Sequence, residues 1–315
     1  MNTDQKAQSA QRVQQLKTGE GVYLQPEDIH KLTQEVPQKL TLKVASRQAS
    51  KRLGYRLTRL RGRGMSFAES RAYQPGDEIR HIDWRITART GQTHTKTFEE
   101  ERDRPVFIVL DQTTSQYIGS ERCFKAYLAA ELAVLCAWLA YRGADRFGGL
   151  FVGQQALFAP VKSGRKHWAH FCQNLVQVNQ QWGLEQESVR MDWQSTLEGT
   201  RREARPGSLI VLISDFFQSD SITEQAMYQL RAHSDVLCLA TQDPLEVNPP
   251  QHSGMLSYGQ VEWLYHGDGE DRQMLRRQYE QRWQHIQTLC KRLGIGFVPI
   301  STTTSALKSL QAILR

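Results

Sequence analysis

The chain has 315 residues, with 40 Lys+Arg against 33 Asp+Glu and a net charge of +7. Hydrophobic residues at 39% and charged residues at 23% are the balance of a folded globular protein and argue against a disordered one. No run approaches the roughly 20 apolar residues of a membrane span, and five scattered cysteines without CxxC spacing argue against a disulfide framework or a zinc ribbon.

Residues 1–20, which begin MNTDQKAQSAQRVQQL, are Gln-rich and polar. They lack the apolar stretch of a secretory signal and read as a loose tail, so a cytoplasmic protein is expected. Pro26, Glu27 and Asp28 open a helix that carries Ile29, Leu32 and Val36. The segment 36–68 follows with nine basic residues and no acidic one. Such a patch attracts an acidic protein surface or nucleic acid, or is a solvated face paired within the fold. No aromatic interleaving or nucleic-acid module supports the nucleic-acid reading, which is kept as an alternative. Residues 74–77 read as a turn and 93–98 as a strand.

From Pro105 onward the pattern becomes regular. Residues 1–104 hold 20 basic and 13 acidic residues, whereas 105–315 hold 20 of each, so the charge excess is N-terminal. VFIVL at 106–110 and SLIVLIS at 208–214 are continuous apolar runs, as in strands buried on both faces, and each leads into an aspartate, Asp111 or Asp215. Between them lie a long helix from Ser120 to Gly143, a hairpin around Gly153 and a helix over 166–178. A helix over 221–233, a strand at 236–240, a looser insert over 243–266, a long polar helix over 269–292, a strand at 295–300 and a final helix complete the chain. This alternation predicts a doubly wound, mostly parallel α/β sheet with one antiparallel edge strand. Its ligands are expected at the switch point, outside the C-terminal strand ends. The expected organisation is a tail (1–20), a basic, mixed α/β N-terminal extension (21–104) and the α/β domain (105–315).

Asp111, Thr113 and Ser115 place a carboxylate and two hydroxyls at i, i+2 and i+4 on a loop leaving a strand. Hard divalent cations take such oxygen ligands. Ser195 or Thr196 can add a hydroxyl and Asp215 a second carboxylate. A strand-end Asp also serves as a cap or turn former, and that alternative stays open. A metal-dependent hydrolase is a further alternative, but the nearby loops offer no His as general base, and no complete catalytic constellation is seen. His167 and His170 lack a third ligand.

The ordered D-x-T-x-S element, later hydroxyl and strand-end Asp resemble the metal-ion-dependent adhesion site of von Willebrand factor A domains. More specifically, Gly62–Phe67, Arg71–Arg85 (RAYQPGDEIRHIDWR), Ala88-Arg89 and Phe98–Arg102 resemble the signature of domain-of-unknown-function family 58, approximately GxGxEF, RxYxPGDxxRxIDW, AR and FxxER. The resemblance covers about residues 20–315. It implies a von Willebrand factor A-like domain acting as an adaptor or chaperone-like protein, with a MoxR-type AAA+ ATPase and an unidentified client as partners. It also implies Mg²⁺ (or Mn²⁺ or Ca²⁺) at Asp111, Thr113, Ser115, Asp215 and either Ser195 or Thr196, with Ser195 slightly favoured. Thr113 stands where the family has Ser, and Gln116 where Met often follows. Within the signature, Tyr73, Asp77, Arg80, Asp83 and Trp84 are the candidate partner surface. The competing reading is an internally paired Arg/Asp turn, with Asp77 and Asp83 satisfying Arg80 or Arg85.

Overall fold

The computed structural model describes residues 20–42, 65–74, 77, 79–100, 104–181, 189–251, 253–258 and 261–314. Most of the basic segment, the glycine-rich stretch around Gly62, Pro75, Gly76 and the N-terminal tail lie outside them. The described residues form two compact units.

The larger unit is built on a six-stranded sheet. Its strands are β3 (Val106–Asp111), β4 (Phe147–Val152), β5 (Leu157–Lys162), β6 (Leu209–Ser214), β7 (Asp235–Gln242) and β10 (Gly296–Ser301), in the order β10-β7-β6-β3-β4-β5. Every pairing is parallel except β4 with β5. The apolar runs alternate between two cores. Val106, Ile108 and Leu110 face one side, while Phe107 and Val109 face the other; Leu209, Val211 and Ile213 likewise oppose Ile210 and Leu212. Period-two alternation of wholly apolar strands requires helices on both faces. The first face is covered by α1 (Pro26–Glu35), α3 (Lys125–Arg142), α4 (Arg165–Asn179) and α9 (Ala306–Leu314). The second is covered by α5 (Trp193–Glu203), α6 (Glu224–His233) and α8 (Gly269–Leu293).

The long central helix begins at Lys125, not Ser120. Tertiary bonds hold its expected first turn out of the helix: Ser120 N–H donates to Asp243 Oδ2 (2.8 Å) and Phe124 N–H to the Gly21 carbonyl (2.8 Å). The insert over 243–266 is structured. It carries the short helix α7 (Pro244–Val247) and the antiparallel hairpin β8 (Gly254–Tyr258) with β9 (Val261–Tyr265).

A boundary at Pro105 does not describe the first part of the chain. Residues 20–42 belong to the larger unit because α1 buries Ile29 and Leu32 in its core, together with Leu24, Val36 and Leu42. Leu24 N–H donates to Asn179 Oδ1 (2.6 Å), and the Arg142 guanidinium donates to the carbonyls of Val36, Pro37 and Gln38. In the smaller unit, β1 (Met65–Ala72) pairs antiparallel with β2 (His94–Glu100), and α2 (Trp84–Thr90) lies between them in sequence. Asp83 caps α2, accepting from the amides of Arg85 and Ile86 (3.2 Å each).

Candidate functional site

The chain crosses from β4–β5 to the other side of β3 before entering β6, so β3 and β6 flank the switch point. Asp111 ends β3, and Asp215 directly follows β6. Their parallel register aligns Leu110 with Ile213, which brings the two loops side by side.

Local hydrogen bonding sets each loop. Asp111 Oδ1 accepts from Thr113 N–H (2.9 Å) and Thr113 Oγ1 (2.7 Å). Asp111 Oδ2 accepts from Ser214 Oγ (2.6 Å) and, more weakly, from Gln116 Nε2 (3.4 Å). On the other loop Phe216 lies in the left-handed region (φ 53°), a costly conformation for a bulky residue. Ser214 Oγ accepts Phe216 N–H (2.8 Å), Asp215 Oδ1 accepts Phe217 N–H (3.0 Å), and the Phe216 ring stacks on Trp193 at 5.3 Å. The turn is thus held from both ends, and Asp215 is aimed inward.

Across the gap, Ser115 Oγ donates to Asp215 Oδ1 (3.2 Å). Lys125, the first residue of α3, reaches the same carboxylate. Its Nζ lies 2.7 Å from Asp215 Oδ2 and 2.9 Å from Glu246 Oε1, and neither the Lys125 nor the Asp215 side chain is exposed. Arg282 of α8 completes the chain of charges at 3.1 Å from Glu246 Oε1. Burial disfavours the charged form of every group here, so their shifts report which partners win. Burial and the nearby Asp215 push the Asp111 carboxyl up, against its donors Ser214 and Thr113. Burial also works against the Asp215 carboxylate, but Lys125 and Arg282 outweigh it and hold that group below the usual range. Asp215 and Glu246 in turn outweigh the burial of Lys125 and keep its ammonium above the ordinary lysine value.

Of the residues expected from the sequence, Asp111, Thr113, Ser115 and Asp215 come together. Ser195 does not join them: it is exposed, and its hydroxyl donates to Asp192 Oδ2 (2.6 Å), the residue that caps α5. Thr196 is buried on α5, and its carbonyl accepts from the Thr200 hydroxyl. The divalent cation implied by the resemblance does not fit this arrangement. The carboxylate best placed to ligate it already holds the Lys125 ammonium, and all four oxygen donors are buried. His167 is a packing residue whose Nε2 lies 2.8 Å from the Phe147 carbonyl.

Lys125, Ser214, Glu246 and Arg282 are the members that motif reading missed. Lys125 did leave a signal. KAYLAAELAVLCAWLAYR is apolar almost all round, and a lysine at the head of a buried helix needs a buried anion.

In the smaller unit, Asp77 pairs with Arg71 (2.7 Å), not with Arg80 or Arg85, and Asp83 is occupied as the α2 cap and as acceptor of Ser70 Oγ (3.0 Å). Asp77 and Asp83 are therefore engaged within the unit, and Tyr73 is half-buried. Ile79 and Trp84 stand out at 69% and 67% exposure, with Arg80, Arg85 and Arg89 exposed beside them in sequence.

These features define a mixed α/β protein with a mostly parallel central sheet and a charge-paired switch point. The profile of "Protein of unknown function DUF58" matches residues 69–288, and the chain belongs to that family. An uncharacterized protein of Mycobacterium tuberculosis is 30% identical over 190 residues, 60% of this chain and 58% of its own length. The chain thus spans less than two thirds of the mycobacterial relatives it matches. Uncharacterized protein YeaD of Bacillus subtilis is 30% identical over 109 residues, 35% of this chain and 25% of its own. Among solved structures, BatB from Bacteroides thetaiotaomicron is similar with a TM-score of 0.41 at 13% identity, over 67% of this chain and 97% of that one. An aerotolerance-related membrane protein from Bacteroides fragilis is similar with a TM-score of 0.38 at 13% identity, over 67% and 98%. Among the described residues of the present chain, no helix is long and apolar enough to cross a membrane.

Proposed function

We propose that this DUF58 protein is a von Willebrand factor A-like adaptor that docks onto other proteins in the cytoplasm. Its partner, by family resemblance, is a MoxR-type AAA+ ATPase that acts on a client protein. The strand order, with an antiparallel edge next to β4 and two aspartates at the switch point, supports the A-type reading.

The observation that carries the docking role is the exposure of Ile79 and Trp84 inside the family signature. A large aromatic left in water beside arginines has the composition of an interface centre, where Trp and Arg contribute most of the binding energy. Asp77 and Asp83 are engaged by Arg71, Ser70 and the α2 amides. The exposed Arg80, Arg85 and Arg89 put positive charge beside Trp84 in the sequence, which favours an acidic partner surface.

The test is binding of the purified ATPase to the wild type and to Trp84→Ala, by biolayer interferometry. A hot-spot residue costs about 2 kcal/mol or more on truncation, so the variant should bind roughly 30-fold more weakly with unchanged circular dichroism. Equal affinity of the two proteins would remove Trp84 from the interface and overturn the reading.

A further inference from the structure

We infer that Lys125 is the resident cation of the switch-point site, and that its ammonium, with Arg282 behind Glu246, replaces the divalent ion that an A-type domain would hold there. The inference goes beyond the docking role and stands independently of Trp84.

Three observations carry it. The first is the donor set. Asp111 takes Thr113 and Ser214, with Gln116 beyond; Asp215 takes Ser115, the Phe217 amide and Lys125. Every carboxylate oxygen of the pair therefore has a donor supplied by the protein. A metal bound at Asp215 Oδ2 would have to displace the Lys125 ammonium and leave that buried cation without its partner, which costs more than the bond contributes.

The second is the charge count. Lys125 and Arg282 are in ion-pair contact with Asp215 and Glu246, while the third carboxylate, Asp111, lies beside Asp215 and is held by neutral donors. A dication added beside Asp215 would face the Lys125 ammonium directly. Lys125 has no room to retreat: its side chain is fully buried, and the helix behind it is apolar.

The third is closure. An adhesion-type site works through a coordination position that a partner carboxylate can reach. Asp111, Thr113, Ser115 and Asp215 are each no more than 5% exposed. Lys125 instead ties the head of α3 to the β6 loop and α7, and Arg282 extends the tie to α8. The cluster is a clasp that holds four elements in register at the end of the sheet where partners of such folds bind.

Thermal unfolding of the intact protein tests this, with wild type, Lys125→Met, Asp215→Asn and the double variant each measured in EDTA, Mg²⁺ and Mn²⁺. The wild-type midpoint should be the same in chelator and in millimolar metal. Lys125→Met, which leaves the buried Asp215 carboxylate without its ion-pair partner and Glu246 with Arg282 alone, should lower it by about 10 °C. The double variant, which removes one stranded charge, should recover part of that loss. Electron paramagnetic resonance of Mn²⁺ with wild-type protein keeps the test decisive if variants fail to fold. Free Mn²⁺ alone supports the inference. Stoichiometric bound Mn²⁺ that is lost in Asp111→Asn overturns it, as does a double variant no more stable than Lys125→Met.

Discussion

Ser214 Oγ donates to Asp111 Oδ2 at 2.6 Å and joins the last residues of two adjacent parallel strands at the switch point. The same oxygen accepts Phe216 N–H at 2.8 Å, so one hydroxyl orients the first aspartate and holds the turn that aims the second. Ser214→Ala leaves a buried amide without an acceptor and Asp111 Oδ2 with only its weaker donor. The expected loss is about 1–3 kcal/mol in urea unfolding at neutral pH. A change below about 0.5 kcal/mol, typical of surface positions, would contradict the assigned role.

Asn179 anchors the N-terminal helix. Its Oδ1 accepts Leu24 N–H (2.6 Å) and its Nδ2 donates to Gln112 Oε1 (2.8 Å), all buried. Asn179→Ala strands the Leu24 amide and leaves Gln112 Oε1 with only the distant Tyr117 hydroxyl (3.5 Å). A loss of about 1–3 kcal/mol is expected, with faster amide hydrogen exchange at Leu24 and along α1. Unchanged exchange there would show that apolar packing of α1 suffices without this anchor.

Gly149 of β4 lies opposite Ile108 of β3. A Cβ at that position would sit 2.3 Å from the Ile108 carbonyl oxygen, a backbone atom that cannot move alone. Gly149→Ala should destabilise by about 1–3 kcal/mol or more through overpacking. Gly199, inside α5 with nothing within 4 Å of its added Cβ, should show the reverse sign. Gly199→Ala is expected to stabilise by about 0.5–1 kcal/mol, because alanine loses less backbone freedom in a helix. Denaturant midpoints of the two variants compare these directly.

His167 provides a pH signature. Burial lowers its pKa below 6.5, against the Phe147 carbonyl bond, which favours the charged ring. The folded state therefore binds fewer protons than the unfolded chain. Its contribution to stability is complete above the unfolded value and is lost as pH falls from about 6.5 through the lower folded value. Replacing His167 by Gln should flatten stability across that window, as read from unfolding midpoints at pH 7.5, 6 and 5. A steeper decline in the variant would reverse the assigned direction.

How much of this was visible beforehand differs by element. VFIVL and SLIVLIS read correctly as doubly buried strands because a continuous apolar run has few other placements in a protein with helices around it. Asp111 and Asp215 were legible as neighbours because strand-end positions in such a sheet converge. Ser195 was not legible as an exposed cap partner: the choice between a turn hydroxyl and an N-terminal cap depends on where Asp192 starts α5. The hairpin β8–β9 was missed because its strands pair only with each other. Helix α1 was correctly placed but assigned to the wrong unit, since an amphipathic stripe shows that a face is buried and not against what.

Local pattern alone established the main alternation of strands and helices after Pro105, the mostly parallel sheet and the two acidic strand ends. These depend on the polarity of near neighbours, which the chain carries wherever it goes. The cation at those acids was settled by packing. Lys125 and Asp215 are 90 residues apart in the chain, as are many other oppositely charged pairs. Their pairing became obligatory only when α3 was laid on the sheet and the ammonium lost its water, because a buried charge persists only beside its opposite.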